Sequence, residues 1–397
     1  MVAVSRAMAL RGGTAAGPAR RRYIPALPTL WPGMLSPLAA DRPPPFPFGA
    51  PRMVRFYFAR NAVFHAVRLL GLAGREVLVP AYHHGVEVSA LAAAGAIPVF
   101  VRVDGRMRLD LEDLEARRGP RAGAIYVIHY AGFPQPMDEI RALARRAGLP
   151  VIEDCALSLL SAEGTRPLGS TGDLAIFCFY KALPVPNGGA LVVNAPGIAA
   201  ELPEPGGAPL ASTLSHAAGA LLANAAFRLG EAGVALRAAA RGVVRTARGA
   251  SGRLRPVSTG TSTFDPGAVG LGMSGLSAAI ARRLDARAIV DARRRNYFLL
   301  LGRLRDLAPP PFTEVPAGVA PLFYPLPCDD KAAVRSRLAA RGIEAVDFWR
   351  TGHPLCPPEA FPEVTALRRR VLELPVHQDL EPEDMAYVAA CVREALE

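Results

Sequence analysis

The feature that most narrows the possible folds is an alternation that begins at Glu76. Apolar, Val- and Ile-rich runs at 76–80, 97–104, 124–130 and 150–156 are separated by stretches of helical pattern, HGVEVSALAAAG, LDLEDLEARR and MDEIRALARRAG. Continuous apolar strands joined by helices of about ten residues predict a mostly parallel sheet covered by helices on both faces. Ligands of such sheets bind beyond the carboxyl ends of the strands. A helix is expected just before this region, from Arg60 to Gly71 or Gly74. Its start places free amides, the positive dipole end, Arg60 and Asn61 together, which makes either an anion site or an ordinary capped core helix.

The stretch 168–194, LGSTGDLAIFCFYKALPVPNGGALVVN, follows. An apolar strand runs from 173 to 179 into Tyr180 and Lys181, and a Pro-broken loop with Asn187, Gly188 and Gly189 leads to a second strand at 190–193. Of the 46 basic residues only Lys181 and Lys331 are lysine, every other one being arginine. Lys331 sits in the polar helix start DDKAAVRSRL, where solvent exposure accounts for it. Lys181 has no charged neighbour from 174 to 193, and an unpaired ammonium buried there is costly or has a lowered pKa. A desolvated lysine, unlike arginine, can become the neutral amine that attacks a carbonyl. The competing reading is a lysine that snorkels to the surface.

Asp154 ends an otherwise apolar strand and needs a cation, which a protonated pyridine nitrogen or one of the many arginines can supply. His84, in the His83-His84 pair after EVLVPAY, either lies flat on an aromatic cofactor or is an ordinary loop histidine. His65 falls on the apolar face of its helix, as core. Together, Lys181, an acid at a strand end and a phosphate site at a helix start outline a pyridoxal-phosphate enzyme.

At this point the sequence resembles the nucleotide-sugar aminotransferases of the DegT/StrS group, fold type I. The likeness rests on the order and spacing of VPAYHHGVEV, VIEDCA, STGDLAIF and K-x6-GG, and resumes at residues 273–296 and in GIEAVDFWRTGHP and LPVHQDL. It implies pyridoxal 5'-phosphate as cofactor and Lys181 as the lysine that binds it covalently. Asp154 is implied to keep the pyridine nitrogen protonated, His84 to stack on the ring, and Ala59, Arg60 and Asn61 to form the phosphate turn. Three positions depart from the pattern: Leu157 stands for the usual glutamine, Cys178 for the serine that reaches the phosphate, and Gly270 for an asparagine that reaches the neighbouring subunit's cofactor. Arg60 is a candidate to replace part of the lost phosphate contact. The implied reaction moves an amino group from an amino acid, glutamate first among candidates, to a keto sugar linked to a nucleotide. Another carbonyl substrate on the same fold, or a degenerate homologue with a binding role, are the alternatives.

The resemblance also implies a homodimer. Domain expectations are a Pro/Arg-rich arm over 1–50, partly disordered, a large cofactor-binding domain over 51–300, and a small α+β domain over 301–397. An Ala/Arg-rich helical insertion is expected near 196–268, where Arg237, Arg241, Arg245 and Arg248 make one basic stripe, read first as a solvated face and second as a diphosphate- or membrane-surface site. His353 and His377 fall in loops of the small domain as structural residues, with substrate contact across the cleft as the second reading.

The five cysteines show no paired spacing, so neither a disulfide framework nor a metal site is expected, and reduced thiols suit a cytoplasmic enzyme. The net charge of +11 is spread along the chain without a nucleic-acid-binding signature, so no nucleic acid is expected as partner. No run of about 18 uncharged apolar residues exists, so no transmembrane segment is expected. The arginine-containing first 22 residues make a poor secretory signal and read as an extension.

Overall fold

The computed structural model describes residues 22–36, 42, 45–198, 201–250 and 263–397, with only the backbone described at 243–250. The expected disorder of residues 1–21 lies outside them.

The elements of the large sheet and its helices are β1 (Met53–Phe56), α1 (Ala59–Leu69), β2 (Glu76–Pro80), α2 (Val86–Ala93), β3 (Ile97–Val101), α3 (Leu111–Ala116), β4 (Ala122–Ile128), α4 (Met137–Ala147) and β5 (Val151–Cys155). A two-stranded ribbon, β6 (Ala162–Glu163) and β7 (Arg166–Pro167), precedes β8 (Leu174–Cys178), the single turn α5 (Phe179–Ala182) and β9 (Gly189–Val193). The seven-stranded sheet has the order β1-β9-β8-β5-β4-β2-β3. Pairing from β3 through β8 is parallel, and β9 pairs antiparallel with both β8 and β1, so β9 alone is reversed. Every residue of β4, β5, β8 and β9 is buried, which requires cover on both faces and explains why these runs read as continuously apolar. The predicted α/β class and its mostly parallel sheet are therefore present.

Two helices, α6 (Leu210–Leu229) and α7 (Glu231–Ala250), form a hairpin where the sequence suggested one alanine-rich run from 215 to 248. The turn is tight: a Cβ at Gly233 would fall 2.0 Å from the Ala225 carbonyl oxygen, so glycine permits the crossing. The expected solvated stripe is corrected at its first member. Arg237 keeps only 14% of its side chain exposed, packs over the Tyr23 ring and pairs with Glu344. Arg241 is exposed, and the side chains of Arg245 and Arg248 lie outside the described residues.

Beyond α8 (Gly275–Arg283) and the long α9 (Ala286–Leu304) comes a second sheet of β10 (Phe323–Pro327), β11 (Val346–Asp347) and β12 (Val371–Pro375), ordered β10-β12-β11. It carries α10 (Lys331–Ala340), α11 (Pro362–Arg370) and α12 (Pro382–Leu396). The N-terminal arm crosses this part: Ile24 exchanges backbone hydrogen bonds with Gly342 and Glu344, and the Thr29 amide and hydroxyl donate to Asp379 Oδ2 at 2.6 and 2.7 Å. His377, fully buried, meets the Pro25 carbonyl through Nε2 at 2.9 Å, so its role is to anchor the arm.

Lys331 overturns the expectation of a solvent-exposed lysine. It is 7% exposed, donates to the carbonyls of Phe348 and Arg368 at 3.0 and 2.9 Å, and pairs closely with Asp347. Burial pushes its pKa down and the Asp347 carboxylate opposes that shift. Nearby, Arg368 donates to the carbonyls of Ala81, His83 and Trp349 at 3.1, 3.0 and 2.8 Å, tying α11 to the loop after β2. Lys331→Met keeps the stem but strands Asp347 and two carbonyls. The expected loss is about 2–4 kcal/mol of stability, discounted because Asp347 retains some contact with water, and urea denaturation measures it.

Candidate active site

The carboxyl ends of β2, β5 and β8 converge on one cavity of about 620 Å³, whose lining includes His84, Asp154, Cys178 and Lys181. This is where a parallel sheet leaves strand-end loops free to gather side chains. Lys181 projects from α5, a single helical turn placed between β8 and β9, and its side chain is half-buried. Among the described residues its ammonium has neither a hydrogen bond nor an ion pair. The loop closing this turn depends on Gly189, where a Cβ would sit 2.3 Å from the Ala59 nitrogen. Glycine lets β9 pass directly against the start of α1, and so brings the Lys181 turn beside Arg60.

Asp154 is buried at the end of β5. Its Oδ2 accepts from the Tyr126 hydroxyl at 2.6 Å and its Oδ1 from the Ala156 amide at 2.8 Å, yet no cation pairs with it among the described residues. Burial raises its pKa, the neighbouring Glu87 carboxylate adds to the rise, and the Tyr126 and Ala156 donors and the Lys181 charge oppose it. Glu87, buried on α2, accepts the His84 amide at 2.8 Å and is likewise pushed up by burial. Glu373, on β12 across the cleft, is pushed up by burial to about 7 and pulled back by Lys181 and Lys331. The Lys181 ammonium thus stands among three carboxyl groups that pair with no cation among the described residues.

His84 is half-buried, and burial together with the charges of Lys181, Arg60 and Arg368 lowers its pKa to about 4, so the ring is neutral at pH 7. Its Nδ1 is buried without a partner. Arg60 lines the cavity at the start of α1, its guanidinium 4.0 Å from the Phe58 ring centroid, and burial lowers its pKa against the opposing influence of Tyr180 and Cys178. Ala59 lines the cavity as well. Asn61 is placed differently: it is buried outside the lining and its Nδ2 donates to the Ala268 carbonyl at 2.8 Å, which ties α1 to the segment before α8. Leu157 faces the cavity and Gly270 does not.

Sequence reasoning missed Tyr126, Glu87, Glu373, Tyr23 and Arg237 as cavity-side residues. Glu87 and Glu373 had a readable signal, a single acid inside the apolar runs VEVSAL and VLELPV. The others owe their place to chain crossings that no local pattern records.

The donor set suits pyridoxal phosphate. A lysine amine, a buried acid that pairs with no cation among the described residues, and a basic helix start share one cavity, a set that this cofactor's aldehyde, ring nitrogen and phosphate would match. Residues 56–204 match the DegT/DnrJ/EryC1/StrS aminotransferase family.

Among the curated proteins this chain is similar to are the UDP-N-acetyl-3-dehydro-alpha-D-glucosamine 3-aminotransferase of Acidithiobacillus ferrooxidans and the GDP-perosamine synthase of Vibrio cholerae. The first is 38% identical over 139 residues, 34% of this chain and 38% of that protein. The second is 30% identical over 137 residues, 34% of this chain and 37% of that protein. The chain therefore spans less than two fifths of the length of either. Among solved structures, the PLP form of the putative sugar aminotransferase Spr1654 from Streptococcus pneumoniae superposes with a TM-score of 0.67 over 94% of this chain and all of that one, at 16% identity. This likeness shows a shared fold over that part of the chain. No helix of the described residues is long and apolar enough to cross a membrane.

Proposed function

We propose that the protein is a pyridoxal-phosphate-dependent aminotransferase that moves an amino group from an amino acid, glutamate as first candidate, to a keto sugar carried by a nucleotide. The observation that carries this reading is the unpaired Lys181 ammonium in one cavity with the buried, cation-free Asp154 at the strand ends. The relatives named for UDP- and GDP-linked sugars support the acceptor class.

Bound pyridoxal phosphate supplies the electron sink that lets the donor's α-carbon lose its proton. Lys181 would hold the aldehyde end of the cofactor through its Nζ, which when free is placed to carry the proton taken from the donor's α-carbon. Asp154, held by Tyr126 and Ala156, keeps the proton on the ring nitrogen. His84, neutral at pH 7, covers the ring face without adding charge. Arg60, the start of α1 and Cys178 receive the phosphate, with Asn61 contributing its place in the helix turn rather than its side chain. Leu157 makes the wall beside the ring apolar. The division into an arm, a large domain over 51–300 and a small one over 301–397, a homodimer and a cytoplasmic location complete the proposal.

Loading the purified protein with cofactor tests it. A yellow protein is expected, bleached by glutamate and recoloured by a keto-sugar nucleotide. A protein that stays colourless after loading overturns the cofactor assignment. One that colours but ignores every amino donor overturns transamination.

A further inference from the structure

The mouth of the cavity is built by segments outside the family match, namely the arm, the α6–α7 hairpin and the stretch around Glu344. Arg237 reaches this mouth from α7 with its guanidinium 4.4 Å from the Tyr23 ring centroid. Both of its terminal nitrogens approach a single oxygen, Glu344 Oε1, at 3.4 Å, the outer limit of a hydrogen bond. The other Glu344 oxygen accepts the Ala26 amide at 3.3 Å. A largely desolvated group with five donors therefore has one distant partner among the described residues. Tyr23 is 9% exposed, and its buried hydroxyl lies beside Glu344 and Arg237 without a well-formed hydrogen bond to either. Leaving such donors unmet is costly, and a ligand with several strong acceptor oxygens would meet both. Arg350, exposed, lines the same mouth.

We propose that Arg237 and Tyr23 form an anion subsite that holds a phosphate or diphosphate group of the acceptor, with Glu344 as the placeholder that neutralises Arg237 until the ligand arrives. The proposal rests on the aminotransferase reading for its acceptor and adds the residues that select it. The competing account is a purely structural latch, in which Glu344 and Arg237 hold the arm against the hairpin.

The two accounts differ in sign when Glu344 is neutralised. Calorimetric titration of cofactor-loaded protein, whose cofactor phosphate site is filled, with inorganic pyrophosphate, UDP and GDP reads this directly. Arg237→Ala is expected to weaken binding about 10- to 100-fold, Tyr23→Phe about 2- to 5-fold, and Glu344→Gln to tighten it about 2- to 10-fold, all less marked at high salt. A similar Arg237→Ala loss for pyrophosphate and for UDP places the recognition on phosphate. Weakening by Glu344→Gln, indifference to Arg237→Ala, or no binding of any probe overturns the subsite. The glutamate colour change reports separately on the aminotransferase reading. A protein that bleaches normally while its pyrophosphate affinity ignores Arg237 overturns the subsite alone, and titration of unloaded protein still tests Arg237 if the cofactor reading fails.

Discussion

Lys181→Ala is expected to lose the yellow absorption band and at least about 10⁴-fold in turnover, because one amine is asked to be both nucleophile and proton carrier. The fold should survive, since among the described residues the Lys181 ammonium has no hydrogen bond or ion pair to lose. The variant carries a second signature in its pH dependence. Burial holds the Glu373 carboxyl at about 7 against an ordinary 4.5, so the native state binds more protons than the unfolded chain between those values. On this account the wild-type protein loses stability as pH rises from 4.5 through about 7. Removing Lys181 removes the larger of the two charges that restrain Glu373, so the loss should continue to higher pH in the variant. Thermal melts of both unloaded proteins across this range check it, and identical pH profiles would show that Lys181 does not face Glu373.

Asp154→Asn is expected to lower turnover by about 10²–10³-fold while leaving stability unchanged or slightly raised. Its carboxylate is buried beside Glu87 and pairs with no cation among the described residues, so ionisation costs the folded protein energy that Tyr126, Ala156 and Lys181 offset in part and a cofactor's ring nitrogen would offset further. The amide can still accept from Ala156 and still meet Tyr126, which keeps the strand end in place. Circular dichroism and urea midpoints read the stability, and the half-reaction with glutamate reads the rate. A variant as unstable as it is inactive would mark Asp154 as a structural residue instead.

The sheet was legible because β4, β5 and β8 are buried on both faces and leave no polar alternation to confuse the period. The strand ends were legible for the same reason, since Asp154 and Lys181 interrupt apolar runs. The partners that satisfy a group from afar were not. Lys331 looks solvated in DDKAAV, and only the fold brings Asp347 and the carbonyls of Phe348 and Arg368 onto its ammonium. Arg237 belongs to a stripe with the spacing of a wet helix face, and the covering ring, Tyr23, lies more than two hundred residues away in the chain. Asn61 fits a phosphate turn by position, but the Ala268 carbonyl takes its side chain.

Arg368 of α11 holds the nearby Trp349 carbonyl and reaches across to those of Ala81 and His83 after β2, so parting along that seam would strand two carbonyls at once. Residues 25–28 and the α6–α7 hairpin line the same cavity, so any shift of the arm would reshape the chamber that holds Lys181.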